Sequence, residues 1–243
     1  MINPSDSILV VSAHAADFVW RAGGTIAKYV KYGAKVSLVI LSYGIRGESN
    51  DLWNEPGQTY ENVKRIRREE IEAAAAALGV TDYEMWDFED YHMKIDDERM
   101  ERMVRKIREV RPLHIITHGP RDALNPDHET VSKYVFEASV LSTSNGVRIE
   151  GYPTARQARI FGFEPHQPEI SDFYPDVLID ITEVYDKKEA AMNCFKAQGH
   201  LIEYYKAKAL IRGNQARRCS GIKDYKYAEA FSRFFPYVGG GLA

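Results

Sequence analysis

This 243-residue sequence has few cysteines, no long apolar run near its start and no excess of charge of either sign. Its two cysteines, Cys194 and Cys219, have no C-x-x-C spacing, so we expect free thiols in a reducing cytoplasm rather than a disulfide. The first apolar stretch, at residues 8–11, is too short for a signal peptide or a membrane span. These absences predict a cytoplasmic protein that does not enter a membrane.

The charge balance argues against nucleic acid as a partner. Lys and Arg number 32 against 35 Asp and Glu, the formal net charge is −3, and the basic residues are scattered among acidic ones. A local group of positive charges could still bind a small anionic substrate. Hydrophobic residues make up 44% and charged residues 28%, an ordinary globular composition that supports a sizeable core.

Strand and helix patterns alternate along the first part of the chain. Strands are predicted at residues 8–11, 35–41, 83–86 and 114–118, and helices at 25–32, 62–78, 96–110 and after Asp127. The continuous β-branched run at residues 8–11 is typical of a strand buried on both faces of a parallel sheet. The alternation predicts an α/β fold with a Rossmann-like, doubly wound, mostly parallel sheet flanked by helices. Ligands of such sheets bind beyond the carboxyl ends of the strands.

The pattern weakens after about residue 146. Strands are predicted at residues 159–163 and 177–181, followed by a largely helical stretch at 183–208. The sequence contains no internal repeat, low-complexity segment or flexible linker. We therefore expect one domain spanning residues 1–243.

Two polar segments follow predicted strands and could share one metal ion. His14 and Asp17 come directly after the first strand, and His128 follows the strand at residues 114–118, so all three reach the same edge of the sheet. Two histidines and one carboxylate are a recurrent ligand set of catalytic zinc, with one position left for water or substrate. Iron(II) or manganese can use the same set. The spacing also allows a structural His14 and an Asp127 that merely begins a helix.

At these residues the sequence resembles the LmbE/PIG-L superfamily of zinc-dependent enzymes. The family pattern A-H-P-D-D, Gly-Gly and H-P-D-H corresponds to A-H-A-A-D at residues 13–17, G-G at 23–24 and N-P-D-H at 125–128. The likeness continues through an R-x-x-E…AA…LG pattern at 67–79 to residues 227–231. It implies an LmbE-like fold in which His14, Asp17 and His128 bind Zn²⁺.

One departure from the family pattern changes the expected chemistry. Most family members are deacetylases, whose general base is the first Asp of A-H-P-D-D, and this chain has Ala16 there. An alanine cannot accept a proton from the attacking water, so amide hydrolysis lacks one catalytic factor. Asn125 replaces the first His of the second motif, whereas Asp127 remains and in the family is a candidate for orienting a neighbour.

Residues 12–24 and 41–49 are similar to a narrower group of the superfamily, the 4-oxalomesaconate hydratases of gallate degradation. Those enzymes have the deacetylase fold and metal site but add water across a carbon–carbon double bond. The resemblance implies a metal-dependent hydro-lyase of aromatic catabolism that acts on a small oxo-polycarboxylate. Relatives often assemble, so we expect a homo-oligomer.

A polycarboxylate substrate requires cations, and arginine suits bidentate carboxylate binding. Arg21, Arg46 and Arg121 fall on predicted loops near strand ends. Arg212 belongs to a late segment whose family counterpart lies near the active site. Each of the four is a predicted substrate ligand, and each could instead be a solvated surface arginine.

Hydration needs one group to accept a proton from water and one to protonate carbon. Glu48, on a loop after the second strand, is the best carboxylate for this task. His166 is the best imidazole, because prolines nearby on both sides hold it in an extended loop. The hydratase resemblance points to the same two residues, and with Asp127 they form the predicted catalytic set. Either could instead be a loop residue that faces solvent.

Two other functions fit parts of the sequence. A deacetylase of an N-acetyl sugar would need Asp127 or Glu48 to replace the missing base. A non-catalytic binding protein could have kept the metal site after losing that base. Convergence of Glu48 and His166 on the open side of the ligand set would favour the hydratase.

Overall fold

The strand order of one seven-stranded sheet sets the position of the other elements in the computed structural model, which describes residues 2–240. The strands are β1 (Ser7–Ser12), β2 (Lys35–Ile40), β3 (Asp82–Met85), β4 (His114–His118), β5 (Arg159–Phe163), β6 (Val177–Asp180) and β7 (Ala228–Arg233). Their order is β3-β2-β1-β4-β5-β7-β6. The first five strands in this order pair in parallel, and β7 is antiparallel to its two neighbours, β5 and β6. The order reverses between β1 and β4, where a doubly wound sheet binds its ligands. The predicted fold class is confirmed.

Helices cover both faces of the sheet. They are α1 (Asp17–Lys31), α2 (Asn50–Trp53), α3 (Tyr60–Leu78), α4 (Asp97–Val110), α5 (Pro126–Ser142), α6 (Tyr185–Met192) and α7 (Ile202–Ser220). Helices α1, α3 and α6 pack against one another on one face, and α4 packs against α5 on the other. Each face of the sheet has its own apolar core. Ile8 and Val10 of β1 belong to the core under α1, α3 and α6, and Leu9 and Val11 belong to the core under α4 and α5. The alternation follows the period of two in a strand.

Local signals in the sequence predict several boundaries correctly. Thr59 Oγ1 accepts a hydrogen bond from the Asn62 N–H at the start of α3, and Asp96 caps α4 in the same way. Gly79 ends α3 with a φ of 79°, in the left-handed region that glycine tolerates best. The strands predicted at residues 114–118 and 159–163 match β4 and β5.

The prediction for the first helix is wrong at its start. Helix α1 begins at Asp17 rather than near residue 25, so Gly23 and Gly24 lie inside it. A Cβ at Gly24 would come within 2.5 Å of the Ile181 side chain. The glycine pair therefore permits close packing inside the helix instead of preceding it, and α1 starts directly at the predicted metal-ligand motif.

The prediction for the last third of the chain is incomplete. Residues 183–208 are largely helical, as predicted, but 3-10 turns separate α6 from α7, and α7 continues to Ser220. Strand β7 was not predicted as a strand. Its buried Glu229 interrupts the apolar pattern, and this charge is tolerated because Lys188 Nζ donates to Glu229 Oε1 at 2.5 Å.

Two further expectations concern the whole chain. Cys194 and Cys219 are free, as predicted. Among the helices formed by residues 2–240, we find none with the length and apolar character needed to cross a membrane.

Candidate active site

The loop between β1 and α1 folds His14 and Asp17 to the same side. The His14 N–H donates to Asp17 Oδ2 at 2.8 Å. Ser12 Oγ donates to the His14 carbonyl at 2.8 Å and accepts a hydrogen bond from the Phe18 N–H at 3.1 Å. These bonds fix the turn, so the imidazole and the carboxylate approach one point at the carboxyl end of β1.

His128 reaches the same point from the neighbouring strand, since it lies in the first turn of α5, after β4. The ligand atoms form a triangle: His14 Nδ1 lies 3.1 Å from His128 Nε2 and 3.4 Å from Asp17 Oδ2, and the last two are 3.5 Å apart. Ligand atoms about 2.1 Å from a tetrahedral ion lie about 3.4 Å from one another. All three residues are buried. The triangle therefore has the dimensions and the donor atoms of a zinc-type site.

A carboxylate holds the outer nitrogen of each imidazole. His14 Nε2 hydrogen-bonds to Asp127 Oδ2 at 3.2 Å, and His128 Nδ1 hydrogen-bonds to Asp122 Oδ2 at 2.8 Å. Asp127 is itself fixed by the backbone N–H groups of Tyr91 and Met93, at 2.6 and 3.0 Å. Such carboxylate–histidine pairs orient the rings of metal-binding histidines and decide which nitrogen faces the metal.

The electrostatic environment favours positive charge at the triangle. Burial acts to lower the pKa of His14, but hydrogen bonds to Asp127 and Asp17 outweigh it and raise that pKa to about 10. Burial acts to raise the pKa of Asp127, yet the His14 bond and two backbone N–H groups lower it to about 2. The Asp122 pKa falls to about 2 despite burial, because His128 hydrogen-bonds to it. A metal ion can supply the charge that this site stabilises.

His118 supports the site from behind. Its Nε2 accepts a hydrogen bond from the Ala13 N–H at 3.0 Å, and its ring stacks on His128 with centroids 3.9 Å apart. Burial, together with the charge of His128, lowers the pKa of His118 to about 3. A neutral imidazole in this position buttresses a ligand and accepts a backbone bond.

Arg21 lies one turn after Asp17 in α1 and is buried. Its Nε is 3.4 Å from Asp17 Oδ1, and its Nη1 donates to Asp122 at 3.3 Å and to the Glu164 carbonyl at 3.1 Å. The guanidinium thus contacts a ligand carboxylate and a carboxylate that orients His128. It also lines the cleft, where the sequence predicts a substrate ligand.

A cleft of about 210 Å³ opens beside the triangle and brings together predicted residues from distant parts of the chain. Glu48 and His166 both line it, with Asp17, Arg21 and His128. Glu48 Oε1 is 3.8 Å from His14 Nδ1. The two predicted acid–base residues therefore share one cleft with two of the predicted ligands, Asp17 and His128.

Helix α7 holds the segment that carries His166. Tyr204 Oη donates to the His166 carbonyl, and Lys208 Nζ donates to the Pro165 carbonyl at 2.9 Å. Tyr205 Oη lies 3.4 Å from His166 Nδ1. Burial and the charges of Arg21 and Lys208 lower the pKa of His166, which favours the neutral imidazole.

Three of the predicted substrate arginines lie elsewhere. Among residues 2–240, those that line the cleft do not include Arg46, Arg121 or Arg212. Arg46 is half-exposed and lies 3.4 Å from Glu89, and Arg121 pairs with Asp172 at the surface. Arg212 makes a bidentate pair with Glu164, at 2.6 and 3.0 Å, which ties α7 to the His166 segment. A loop position in the sequence does not determine where a long side chain points, and substrate contact by these arginines stays a prediction.

The sequence analysis missed two residues that contact the predicted site: Asp122, which hydrogen-bonds to His128, and Gln198, which hydrogen-bonds to Glu48. Asp122 lies six residues before His128, on the loop that leads into α5, and an acidic residue so close to a predicted ligand was a usable signal. Gln198 lies 70 residues after His128 in a 3-10 turn between α6 and α7, and nothing in the local sequence marks it.

Comparison with known proteins extends this description. Residues 9–139 match the family described as PIG-L: GlcNAc-PI de-N-acetylase. The chain is 42% identical over 246 residues to a 4-oxalmesaconate hydratase of Pseudomonas putida, across 100% of this chain and 95% of that protein. It is 27% identical to a probable N-acetyl-alpha-D-glucosaminyl L-malate deacetylase 2 of Bacillus cereus, across 79% of this chain and 83% of that protein.

Two solved structures show the same architecture. The 4-carboxy-2-hydroxymuconate hydratase of Pseudomonas putida superposes with a TM-score of 0.93 at 42% identity, across 98% of this chain and 100% of that one. An N,N'-diacetylchitobiose deacetylase of Pyrococcus horikoshii superposes with a TM-score of 0.78 at 20% identity, across 95% of this chain and 84% of that one. The second likeness shows the shared fold alone.

Proposed function

We propose a reaction for this chain from the premise that it belongs to the PIG-L (LmbE-like) family. The reaction is the metal-dependent addition of water to the double bond of a small oxo-polycarboxylate such as 4-oxalomesaconate. The observation that carries the proposal is the 42% identity to a hydratase over the whole chain. The shared cleft of Glu48 and His166 beside the ligand triangle supplies the chemical groups that hydration needs.

Residue 16, directly before the ligand Asp17, supports hydration over amide hydrolysis. Ala16 is buried directly before α1, so a methyl group stands where most family members have their base. The carboxylate of Glu48 approaches the triangle from the loop after β2 instead. The proposed base therefore comes from the loop after β2, whereas the base of most family members comes from the position of Ala16.

We assign His14, Asp17 and His128 as the ligands of the metal. When bound there, a divalent ion would act as a Lewis acid and polarise substrate oxygens. The set of two nitrogens and one carboxylate oxygen favours Zn²⁺, although iron(II) and manganese accept it as well. Metal analysis of the purified protein distinguishes them.

Proton transfer falls to two residues on the cleft wall. Glu48 accepts a proton from the attacking water, since its carboxylate lines the cleft 3.8 Å from His14 Nδ1. His166 gives a proton to the substrate carbon, while its Nδ1 lies 3.4 Å from the Tyr205 hydroxyl, which orients the ring. The proton taken up by Glu48 returns through solvent to His166, so that the elements of one water molecule are added in sum. Asp127 acts through His14 and holds its ring in place.

Absorbance of the conjugated enol of 4-oxalomesaconate provides the test. The metal-loaded protein is mixed with the keto and enol forms, and we expect the absorbance to disappear as water is added. A chelator should stop the reaction and added Zn²⁺ should restore it. A fully loaded protein that adds no water to either form would refute the proposal.

A deacetylase of N-acetyl sugars is the second candidate, because the 27% identical relative is a probable deacetylase. It would require Glu48 or Asp127 to serve as base, and Asp127 is already occupied by His14 and two backbone N–H groups. Release of acetate from N-acetylglucosamine derivatives, abolished by a chelator, would favour it.

We also propose that the chain assembles into a homo-oligomer. The large side chains of Leu124, Ile170 and Tyr174 are exposed, and Leu124 lines the cleft. Light scattering coupled to size-exclusion chromatography measures the assembly, and a mass of one chain would contradict it.

A further inference from the structure

A buried ion pair on α3 has no part in the reaction described above, although it belongs to the R-x-x-E pattern of the sequence. Arg67 is fully buried, and its Nη1 donates to Glu70 Oε2 at 2.8 Å. Taking two charges out of water opposes folding, so a buried pair alone is weak evidence of a stabilising role. Its other contacts indicate what it does.

The pair anchors the 3-10 turn that carries Gln198. Arg67 Nη2 donates to Gln198 Oε1 at 3.2 Å, and Arg67 Nε donates to the Tyr43 carbonyl at 3.1 Å. Glu70 Oε1 accepts a hydrogen bond from the Ala197 N–H at 3.0 Å. Both the backbone and the side chain of this turn are therefore fixed to α3, and Arg67 also joins α3 to the loop after β2, which is the loop that carries Glu48.

These contacts decide which way the Gln198 amide faces. A guanidinium only donates, so the Gln198 oxygen faces Arg67 and its Nε2 faces Glu48. Gln198 Nε2 donates to Glu48 Oε2 at 2.7 Å. The buried charges of α3 thus reach the catalytic carboxylate through one oriented amide.

A second amide holds the other oxygen of the same carboxylate. Asn125 Nδ2 donates to Glu48 Oε1 at 3.1 Å. Each carboxylate oxygen has room for a further bond, so the two amides leave Glu48 able to accept a proton. Asn125 Oδ1 is buried and lacks a hydrogen-bond partner within residues 2–240, so it can accept one from a water or a substrate hydroxyl in the cleft.

We propose that Gln198 and Asn125 are positioning residues for Glu48, and that the buried Arg67–Glu70 pair exists to orient Gln198. The inference rests on the proposed function, in which Glu48 takes the proton of water. Fixing a reacting group within a fraction of an ångström matters, because a displacement of about 1 Å can cost about a hundredfold in rate.

The test compares Gln198→Met with the wild-type chain, both loaded with metal. Methionine keeps the length of the side chain and removes the amide. We expect kcat to fall about tenfold to a hundredfold, with KM within about threefold, because the lost contact acts on the reacting group. Metal content should be unchanged. Gln157→Met, which removes an exposed amide away from the cleft, is the matched control and should keep the wild-type kcat.

A double-mutant cycle separates positioning from a general structural effect. In a Glu48→Gln background, Gln198→Met should lower kcat no further, because the group it positions is already gone. Effects that multiply in the double variant would overturn the proposal, as would a kcat of Gln198→Met within about twofold of wild type. If Gln198→Met does not fold, Asn125→Leu applies the same cycle to the other oxygen, with the same expected and contradicting results.

Crystal structures of the same variants do not depend on turnover. In Gln198→Met the Glu48 carboxylate should leave its position beside His14, and an unmoved carboxylate would overturn the proposal. A wild-type chain that adds no water refutes the proposed function alone. An active wild type with an unaffected Gln198→Met refutes the positioning role alone.

Discussion

The metal side of the cleft is built from residues 12–17 and 122–128, whereas a second part of it, the distal side, comes from residues 164–166 and 196–205. The first side follows two neighbouring parallel strands: His14 and Asp17 come within five residues of the end of β1, and His128 lies in the first turn of the helix after β4. The second side reaches the cleft through irregular turns and α7, which are fixed by side-chain bonds. The proposed function divides the tasks between them, with metal binding at the sheet edge and proton transfer shared with the distal segments.

Removing a ligand should have the largest effect and should separate the two sides. Asp17→Asn keeps the size of the side chain but removes the negative charge from the triangle. We expect loss of metal and a fall in kcat/KM of more than about a thousandfold, since the Lewis acid is lost with it. Metal analysis and the hydration assay measure both. The exposed Asp186→Asn on α6 is the control, and a fully metallated, active Asp17→Asn would contradict the assignment.

A change on the distal side should damage catalysis and leave the metal in place. His166→Gln removes the imidazole that moves a proton, so we expect kcat to fall about a hundredfold at unchanged metal content. The exposed His92→Asn serves as control. Loss of metal from His166→Gln would show that the two sides do not have separate tasks.

Lys208 makes the stability of the distal side depend on pH. Burial, with the charge of Arg21, lowers the pKa of Lys208 to about 8 despite the attraction of Glu164. The unfolded chain, with an ordinary lysine pKa near 10.5, binds more protons between pH 8 and 10.5, so this group adds stability as pH rises through that window.

Urea unfolding of the metal-free protein at pH 7 and pH 9 tests this sign. Relative to Lys208→Met, the wild type should gain about 1 kcal/mol of unfolding free energy between the two pH values. Lys206→Met, an exposed change on the same helix, retains Lys208 and should show the same gain as the wild type. A parallel pH response of wild type and Lys208→Met would contradict the burial argument.

The smallest effect is expected for Arg46, which belongs to neither side of the cleft. The half-exposed pair of Arg46 and Glu89 should contribute less than about 1 kcal/mol to stability, so Arg46→Ala should fold normally. If Arg46 binds a substrate carboxylate, KM rises a few-fold while kcat is unchanged. Arg65→Ala, which removes an exposed pair on α3, is the control. An unchanged KM would remove Arg46 from the substrate site.

The sequence predicts the metal side well for a physical reason. Parallel strands bring their carboxyl ends to one edge, so residues that directly follow β1 and β4 must be neighbours. The β-branched run of β1 and the capped helices α3 and α4 fix the register locally. His14, Asp17 and His128 could therefore be placed together without a structure.

The distal side could not be derived in the same way. Gln198 and Tyr205 reach the cleft through long-range packing against α3 and the His166 segment, which no local pattern encodes. Strand β7 was missed because the charge of Glu229 is compensated by Lys188 on another element. The directions of Arg46, Arg121 and Arg212 depend on partners far away in the sequence.

The most direct test of the account follows the oxygen of water. The metal-loaded chain is incubated with 4-oxalomesaconate in ¹⁸O-labelled water, in parallel with an N-acetylglucosamine derivative, and the products are analysed by mass spectrometry and NMR. We expect one labelled hydroxyl on a newly saturated carbon of the first compound and no acetate from the second. An unlabelled, unchanged oxo-acid together with release of acetate would contradict the account and assign the chain to hydrolysis.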